Sequence, residues 1–409
     1  VEQVPEALAR WAVGPGRPAI DRATAELAQG DDELAVGTRL REGLEGAQAA
    51  FAMAAAATRL RARAQGLPGA DELVLTRESL EQASHPAAAG WRAGRAADAN
   101  ASAGAGMRLQ DRCAGTGGDA VALAEHGPVL AIERDPGRAV LAADRAAVLD
   151  VDVEVLVGDA LDPSIPTTGA VVHADPDRRD AQGRRAHGLG DHQPGVAELL
   201  AATSGAQGHL VTVTPGLAWD DPELPGQAEV VFLQHGRDLK EAVLCTGAAR
   251  QQDARATAVL LHDGSTRTRT DDAREQLPVG SIGDLLLLPA PALVRARLHD
   301  ATGDEFGARR LATRSALLSL DGEPPRTPWF DIEVVEAVLP ARGRGVREHL
   351  RAHPGRRVEV ILHGLRLDVR EWLQEAGSPP TGPADLRIHL VRRDHDAVAV
   401  LTTAGAAHT

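Results

Sequence analysis

From residue 107 onward, short apolar runs alternate with helix-sized gaps: MRLQDRC, GPVLAIERD, VEVLVGDA, GAVVHADP and GHLVTVTP. This alternation leaves few folds open. Repeated strand–helix units cannot pair by hairpins, so their strands must lie parallel, and a parallel sheet needs helices on both faces. The runs AEVVFLQH and EAVLCTG, separated by the turn-rich GRDLK, read as a terminal antiparallel hairpin, and ATAVLLHD as one further strand.

The flanks have a different period. Residues 1–104 are rich in Ala, Leu, Glu and Arg, with apolar residues recurring every three to four positions, the pattern of amphipathic helices. Thr76 precedes RESLEQAS with Glu78 in the first turn, which predicts a helix start there, and ANASAGAG at 99–106 reads as a linker. A helical domain over 1–104, an α/β domain over 105–265 and a mixed connector over 266–325 with a helix around ALVRARLHDATG are expected. The tail, 326–409, reads strand, helix, strand, helix and hairpin (FDIEVVEAVL, GVREHLRAH, RRVEVILHG, DVREWLQEAG, DLRIHLVRR with AVAVLTT), a small α+β domain.

Composition excludes several classes. At 409 residues the chain has room for two or three domains. No apolar run approaches the ~20 residues of a membrane span, and the N-terminal stretch lacks the basic and apolar regions of a secretory signal. A cytoplasmic protein is therefore expected, with no membrane partner. The two cysteines, Cys113 and Cys245, stand far apart without partners at metal-ligand spacing, so neither a disulfide framework nor a metal site is encoded. A formal charge of −14 argues against a protein that coats nucleic acid, yet leaves room for a local basic surface. The tail is the place for one: residues 326–409 carry 12 Arg against 11 acidic residues and add six histidines.

The chemistry concentrates at strand ends. Asp111-Arg-Cys113-Ala-Gly115-Thr-Gly117-Gly-Asp119 lies between the first strand and a helix. Glycines at such a junction let the backbone approach a ligand and leave helix N-terminal N–H groups free to meet it. Gly115-Thr-Gly117-Gly-Asp-Ala120 also satisfies the G-x-G-x-x-A dinucleotide fingerprint, so the turn alone leaves two nucleotide-like cofactors open. Glu133 ends the second strand, where a carboxylate can accept from both hydroxyls of a ribose. Gly158-Asp159-Ala160 ends the third, where a carboxylate can accept from an adenine amino group, which favours S-adenosylmethionine. After the fourth strand comes Ala174-Asp175-Pro176-Asp177-Arg178-Arg179. In open α/β sheets that edge faces the reactive end of the ligand, and methyl transfer asks the protein mainly to position a nucleophile.

Asp111-x-Cys113-Ala114-Gly115-x-Gly117, Glu133, Asp159 and Asp175-Pro176-x-Arg178 resemble the motif series of class I S-adenosylmethionine-dependent methyltransferases, especially RNA-modifying ones. LTRESLEQAS, HADPDRR, VTVTPGL, DLKEAVL, TPWFDIEVVEAVLP and the tail extend the likeness to one bacterial family, class I methyltransferases with a C-terminal THUMP-like domain. The resemblance implies an α/β fold with a Rossmann-like sheet of order 3-2-1-4-5-7-6, an N-terminal helical domain and a small α+β THUMP-like domain thought to contact RNA. It further implies that Asp111, Gly115 and Gly117, with Asp119 in the following helix, hold the methionine portion of the cofactor. Glu133 would hold the ribose and Asp159 with Ala160 the adenine, while Asp175 and Pro176 orient the nucleophile and Arg178 assists substrate binding. The chain departs from the pattern in three places. Cys113 stands where the first glycine is usual, the Asn-Pro-Pro-aromatic loop of exocyclic-amine methylation is absent, and RRVEVILHGLR in the tail carries fewer basic residues after its strand than an RNA-gripping surface calls for.

The expected activity is methylation of a base in ribosomal or transfer RNA. A small-molecule methyltransferase, favoured by the acidic charge and the 2% aromatic content, and an NAD-dependent oxidoreductase stay open. Cys245, inside an apolar run, reads as a buried small hydrophobe. Lys240 and Glu241 line the substrate side or pair structurally. His363, His389 and His395 read as surface residues, and Trp329, Phe330 and Trp372 as core.

Overall fold

The computed structural model describes residues 4–81, 83–102, 108–178, 188–251, 254–262, 264–270, 276–377 and 385–404. The chain forms two compact units, one of residues 1–255 and 260–266, the other of 256–259 and 267–409.

The first unit contains the expected sheet. Its strands are β1 (Leu109–Arg112), β2 (Val129–Glu133), β3 (Val153–Val157), β4 (Val171–Ala174), β5 (Gly208–Val213), β6 (Glu229–His235) and β7 (Asp238–Gly247), in the order β3-β2-β1-β4-β5-β7-β6. The first five are parallel, and β7 runs antiparallel to both β5 and β6. This is the order that the resemblance implied. The strands β8 (Ala256–His262) and β9 (Ser265–Thr270) follow β6 in the sheet order, and the division between units falls within them.

The helices expected over 1–104 are present, but they belong to the same compact unit as the sheet. Ala9, Ala12, Ala23, Ala49, Ala52, Ala55 and Ala56 are buried with Ile20, Val36 and Leu40, and Leu141 of the sheet-covering helix Pro136–Val148 lies in the same cluster. Small side chains on the facing stripes let the helices approach closely. Thr76 caps the helix Arg77–Glu81 as expected: its Oγ1 accepts from the Ser79 N–H at 3.1 Å, and Ser79 Oγ accepts from the Thr76 N–H at 3.0 Å. The helix Pro86–Ser102 runs through the first part of the expected linker, and residues 103–107 lie outside the described residues.

In the second unit the tail has the elements read from its sequence: β13 (Phe330–Pro340), a helix Gly343–Ala352, β14 (Val358–His363), a helix Val369–Glu375, β15 (Leu386–Arg392) and β16 (Ala397–Ala404). The stretch read as a connector belongs to the same sheet. It supplies β10 (Leu285–Pro289), β11 (Arg309–Arg310) and β12 (Leu318–Leu320), giving the order β11-β12-β10-β13-β16-β15-β14. The helix expected around ALVRARLHDATG is two, Pro291–Arg295 and His299–Asp304. Trp329, Phe330 and Trp372 are buried, and Trp372 Nε1–H donates to the Ala341 carbonyl at 2.7 Å. Among the described residues no helix is long and apolar enough to cross a membrane.

His389 is a correction to the sequence reading, because its ring is fully buried. Its Nε2–H donates to Glu333 at 2.7 Å, Arg387 donates to the same carboxylate at 2.6 Å, and Thr402 donates to it as well. His363 Nε2 lies 3.0 Å from His389 Nδ1. Burial acts to raise the Glu333 pKa, but the donors from His389, Thr402 and Arg387 outweigh it and hold it at about 2, below its ordinary 4.5. Burial, then the neighbouring His389, depresses His363 from 6.5 to about 4. Both folded values are depressed, so both stabilising contributions are complete above the unfolded pKa and disappear on acidification. That of His363 is lost between pH 6.5 and about 4, and that of Glu333 below 4.5 toward about 2. Urea unfolding of the second unit should show a stability loss on the order of 2–3 kcal/mol from His363 alone as pH falls from about 7 to 4. His363→Phe should flatten that slope, and an unchanged slope would refute the assignment.

Candidate functional site

Strand register sets the site. Arg112 pairs with Ile132 and Ala174, and Glu133 with Val157, so the C-terminal ends of β1, β2, β3 and β4 finish level. The segments that follow them therefore share one edge of the sheet: the glycine turn, Glu133–Asp135, Gly158–Ala160 and Asp175–Arg178.

The glycine turn curls over the end of β2. Cys113 and Ala114 N–H groups both donate to the Ile132 carbonyl, at 3.1 and 3.0 Å. Cys113, Gly115 and Gly117 all have positive φ, at 72°, 56° and 79°. The left-handed backbone at Cys113 explains why glycine is the usual residue there, since a side chain in that region adds strain. A Cβ on Gly115 would meet nothing within 4 Å, which leaves open space above the turn, whereas one on Gly117 would press on Ala142 at 3.1 Å. Gly117 lets the helix Gly118–Ala124 approach its neighbour; Gly115 leaves room for a ligand.

Glu133 is buried and bound at both oxygens: Oε2 accepts from the Gly115 N–H and Oε1 from the Asp135 N–H, each at 2.8 Å. Burial raises its pKa, partly offset by these two donors. Each carboxylate oxygen keeps a second acceptor position. Asp159 is exposed just beyond β3, with Oδ1 accepting from the Leu161 N–H at 2.9 Å. Ala160 is buried, and Arg112 fixes its loop from within the sheet by donating to the Ala160 carbonyl at 2.6 Å and the Ile165 carbonyl at 3.1 Å. Nothing in the sequence marks this fully buried guanidinium, which carbonyls of the β3–β4 connection satisfy.

Asp175 and Arg178 face each other at 3.7 Å, both partly exposed, and Pro176 between them is buried. Asp177 and Gln193 exchange both backbone hydrogen bonds at 3.0 Å, which anchors the loop. Arg179 lies outside the described residues.

Asp111 and Asp119 each have a protein partner that the sequence reading did not include. Asp111 is buried at 1% exposure, paired with His173 of β4 through Oδ1 and Nδ1 at 2.8 Å. Asp119 is taken by Arg92 of the helix Pro86–Ser102. The buried Arg92 guanidinium joins Asp119, Glu241 of β7 and Ser84, and Ser84 donates to Asp119 at 3.1 Å. Burial acts to raise the Asp119 pKa, but Arg92 outweighs it and holds it at about 2. Glu241 is therefore a structural partner of Arg92, while Lys240 pairs with Asp238 at 3.2 Å. Cys113 and Cys245 thiols are both pushed up, first by burial and then by nearby carboxylates, so neither is a poised nucleophile. Among the described residues no group of three His, Cys, Asp or Glu side chains could hold a metal ion.

No protein-family model matches the chain. It is 29% identical over 325 residues to uncharacterised S-adenosylmethionine-dependent methyltransferases of two Mycobacterium tuberculosis strains, CDC 1551 / Oshkosh and ATCC 25618 / H37Rv. Each alignment covers 78% of this chain and 86% of the relative. Among solved structures, a candidate methyltransferase from Porphyromonas gingivalis W83 superposes with a TM-score of 0.73 over 98% of both chains, at 17% identity. The fold of the first unit's sheet is the Rossmann-like one expected from the motifs.

Proposed function

We propose that the protein is an S-adenosylmethionine-dependent methyltransferase that methylates a base in RNA, with the tail of its second unit serving as a THUMP-like RNA-contacting domain. The observation that carries the methyltransferase reading is the gathering of the glycine turn, Glu133, Asp159 and Asp175-Pro176 at one edge of a sheet ordered 3-2-1-4-5-7-6. The relatives named for the same activity support it.

The site fits the cofactor. Open space lies above Gly115, Glu133 keeps free acceptor positions for a ribose, and Asp111 has a buried oxygen, Oδ2, without a partner. When bound, S-adenosylmethionine supplies an electrophilic methyl group. Asp111, Gly115 and Gly117 would hold its methionine end, with Asp119 acting through the start of the following helix. Glu133 would hold the ribose, and Asp159 with Ala160 the adenine. Asp175, held rigid by the buried Pro176 and the Asp177–Gln193 pair, would accept a hydrogen bond from the incoming nucleophile and orient it. Arg178 beside it offers a guanidinium to a substrate phosphate.

For RNA the supporting feature is on the second unit, where Arg342, Arg344 and Arg351 are exposed on and beside the helix Gly343–Ala352 and Arg357, Arg366 and Arg370 are exposed in the segments that follow it, Arg344 and Arg357 each being paired with a carboxylate, Glu348 and Asp385. Exposed guanidinium groups on an otherwise acidic chain suit a phosphate backbone. The test is transfer of tritiated methyl from the cofactor to undermodified total RNA, alongside a metabolite pool. Label in RNA, with binding that weakens as salt rises and after Arg342→Ala with Arg351→Ala, is expected. Label confined to metabolites would establish the small-molecule reading, which the −14 charge favours.

A further inference from the structure

His173 has no role in the sequence reading, yet it is a fully buried titratable group at the site. It sits on β4 two residues before Asp175, directly opposite Asp111 in the parallel register of β1 and β4. The two side chains are each 1% exposed and joined at 2.8 Å. Their outer atoms, Asp111 Oδ2 and His173 Nε2, are buried and have no hydrogen-bond partner. Two orphaned polar atoms on one bonded pair, one an acceptor and the other a potential donor, are costly in a folded interior unless something completes them. Both belong to strands whose next residues are the glycine turn and the Asp-Pro loop.

We propose that Asp111 and His173 act together as a receptor for the zwitterionic amino-acid end of the cofactor, with His173 Nε2–H donating to the α-carboxylate while Asp111 Oδ2 accepts from the α-ammonium. This rests on the methyltransferase reading and adds a carboxylate-binding residue on β4. The ion pair matches its guest, since an anion and a cation on neighbouring strands meet a cation and an anion on one carbon. Burial works against charge on His173, and the adjacent Asp111 carboxylate outweighs it, so the imidazolium persists to higher pH than for a free histidine. Asp119 also favours that charge and Arg92 opposes it. Burial raises the Asp111 pKa and His173 opposes that rise, while Asp119 and Asp175 add to it, so the Asp111 carboxylate depends on charged His173. Neutral His173 that donates Nδ1–H to Asp111 would turn a lone pair toward the carboxylate, so affinity should fall as pH rises through the His173 pKa.

The test is calorimetric titration of the full chain with S-adenosylmethionine and with its decarboxylated analogue, on wild type, His173→Asn and His173→Gln, with thermal unfolding of each. Asn can keep the bond to Asp111 but cannot reach as Nε2 does; Gln can extend an N–H toward that position. Expected is a roughly 10- to 100-fold loss of S-adenosylmethionine affinity in His173→Asn, little change for the decarboxylated analogue, partial rescue in His173→Gln and loss of the wild-type pH dependence. Equal effects on both ligands, or none, in folded variants would overturn the proposal. Wild type that binds neither adenosyl compound would overturn the methyltransferase reading itself.

Discussion

Arg92→Leu should destabilise the first unit by roughly 3–5 kcal/mol, seen as a fall of roughly 10 °C in its unfolding midpoint. The guanidinium is 1% exposed and is shared by Asp119 at 13% and Glu241 at 5%. Removing it leaves two poorly hydrated carboxylates without their cation, and the desolvation cost of an unpaired buried charge exceeds what the pair contributed when intact. The three partners come from the helix Pro86–Ser102, the first turn of the helix after Gly117, and β7, so the variant should also loosen the glycine turn. Adding Asp119→Asn and Glu241→Gln should recover much of the loss, because neutral amides tolerate burial that carboxylates do not. Equal stability of the single and triple variants would show that the network does not act as a charge cluster.

Glu133→Ala should weaken S-adenosylmethionine binding by two orders of magnitude or more. Two charge-assisted hydrogen bonds to a ribose are each worth roughly 1.5–3 kcal/mol, and the same carboxylate holds the Gly115 and Asp135 N–H groups. Glu133→Gln should be nearly as damaging, since one carbonyl oxygen replaces two acceptors and the amide NH2 faces a backbone N–H. Binding of either variant within tenfold of wild type, measured calorimetrically, would remove Glu133 from the cofactor site.

Much of this arrangement is legible in the sequence because strand ends are marked chemically. A short apolar run stops at a carboxylate or a glycine, and a parallel sheet then brings those stops to one edge. What the sequence hides is pairing at a distance. Nothing local says that Asp111 lies opposite His173, or that Arg92 reaches Glu241 149 positions away. Asp119 looks like a ligand residue by its place beside the glycines, and only the fold shows Arg92 occupying it. LLLLP, β10, lacks the alternation of a half-buried strand because Leu285, Leu286 and Leu287 are buried in succession, on both faces of the sheet, so the stretch around it reads as a connector. His389 reads as a surface residue because it has no metal-ligand spacing, but Glu333 and His363 satisfy the two nitrogens of its ring in the interior. In each case the deciding partner lies on another element, and periodicity carries no information about it.

The most direct measurement is calorimetric titration of the protein with S-adenosylmethionine, S-adenosylhomocysteine and NADH. Micromolar binding of both adenosyl compounds, no measurable binding of NADH, and loss of the adenosyl signal in Glu133→Ala are expected. Absence of adenosyl binding, or a preference for NADH, would contradict the methyltransferase assignment and leave the fold alone standing.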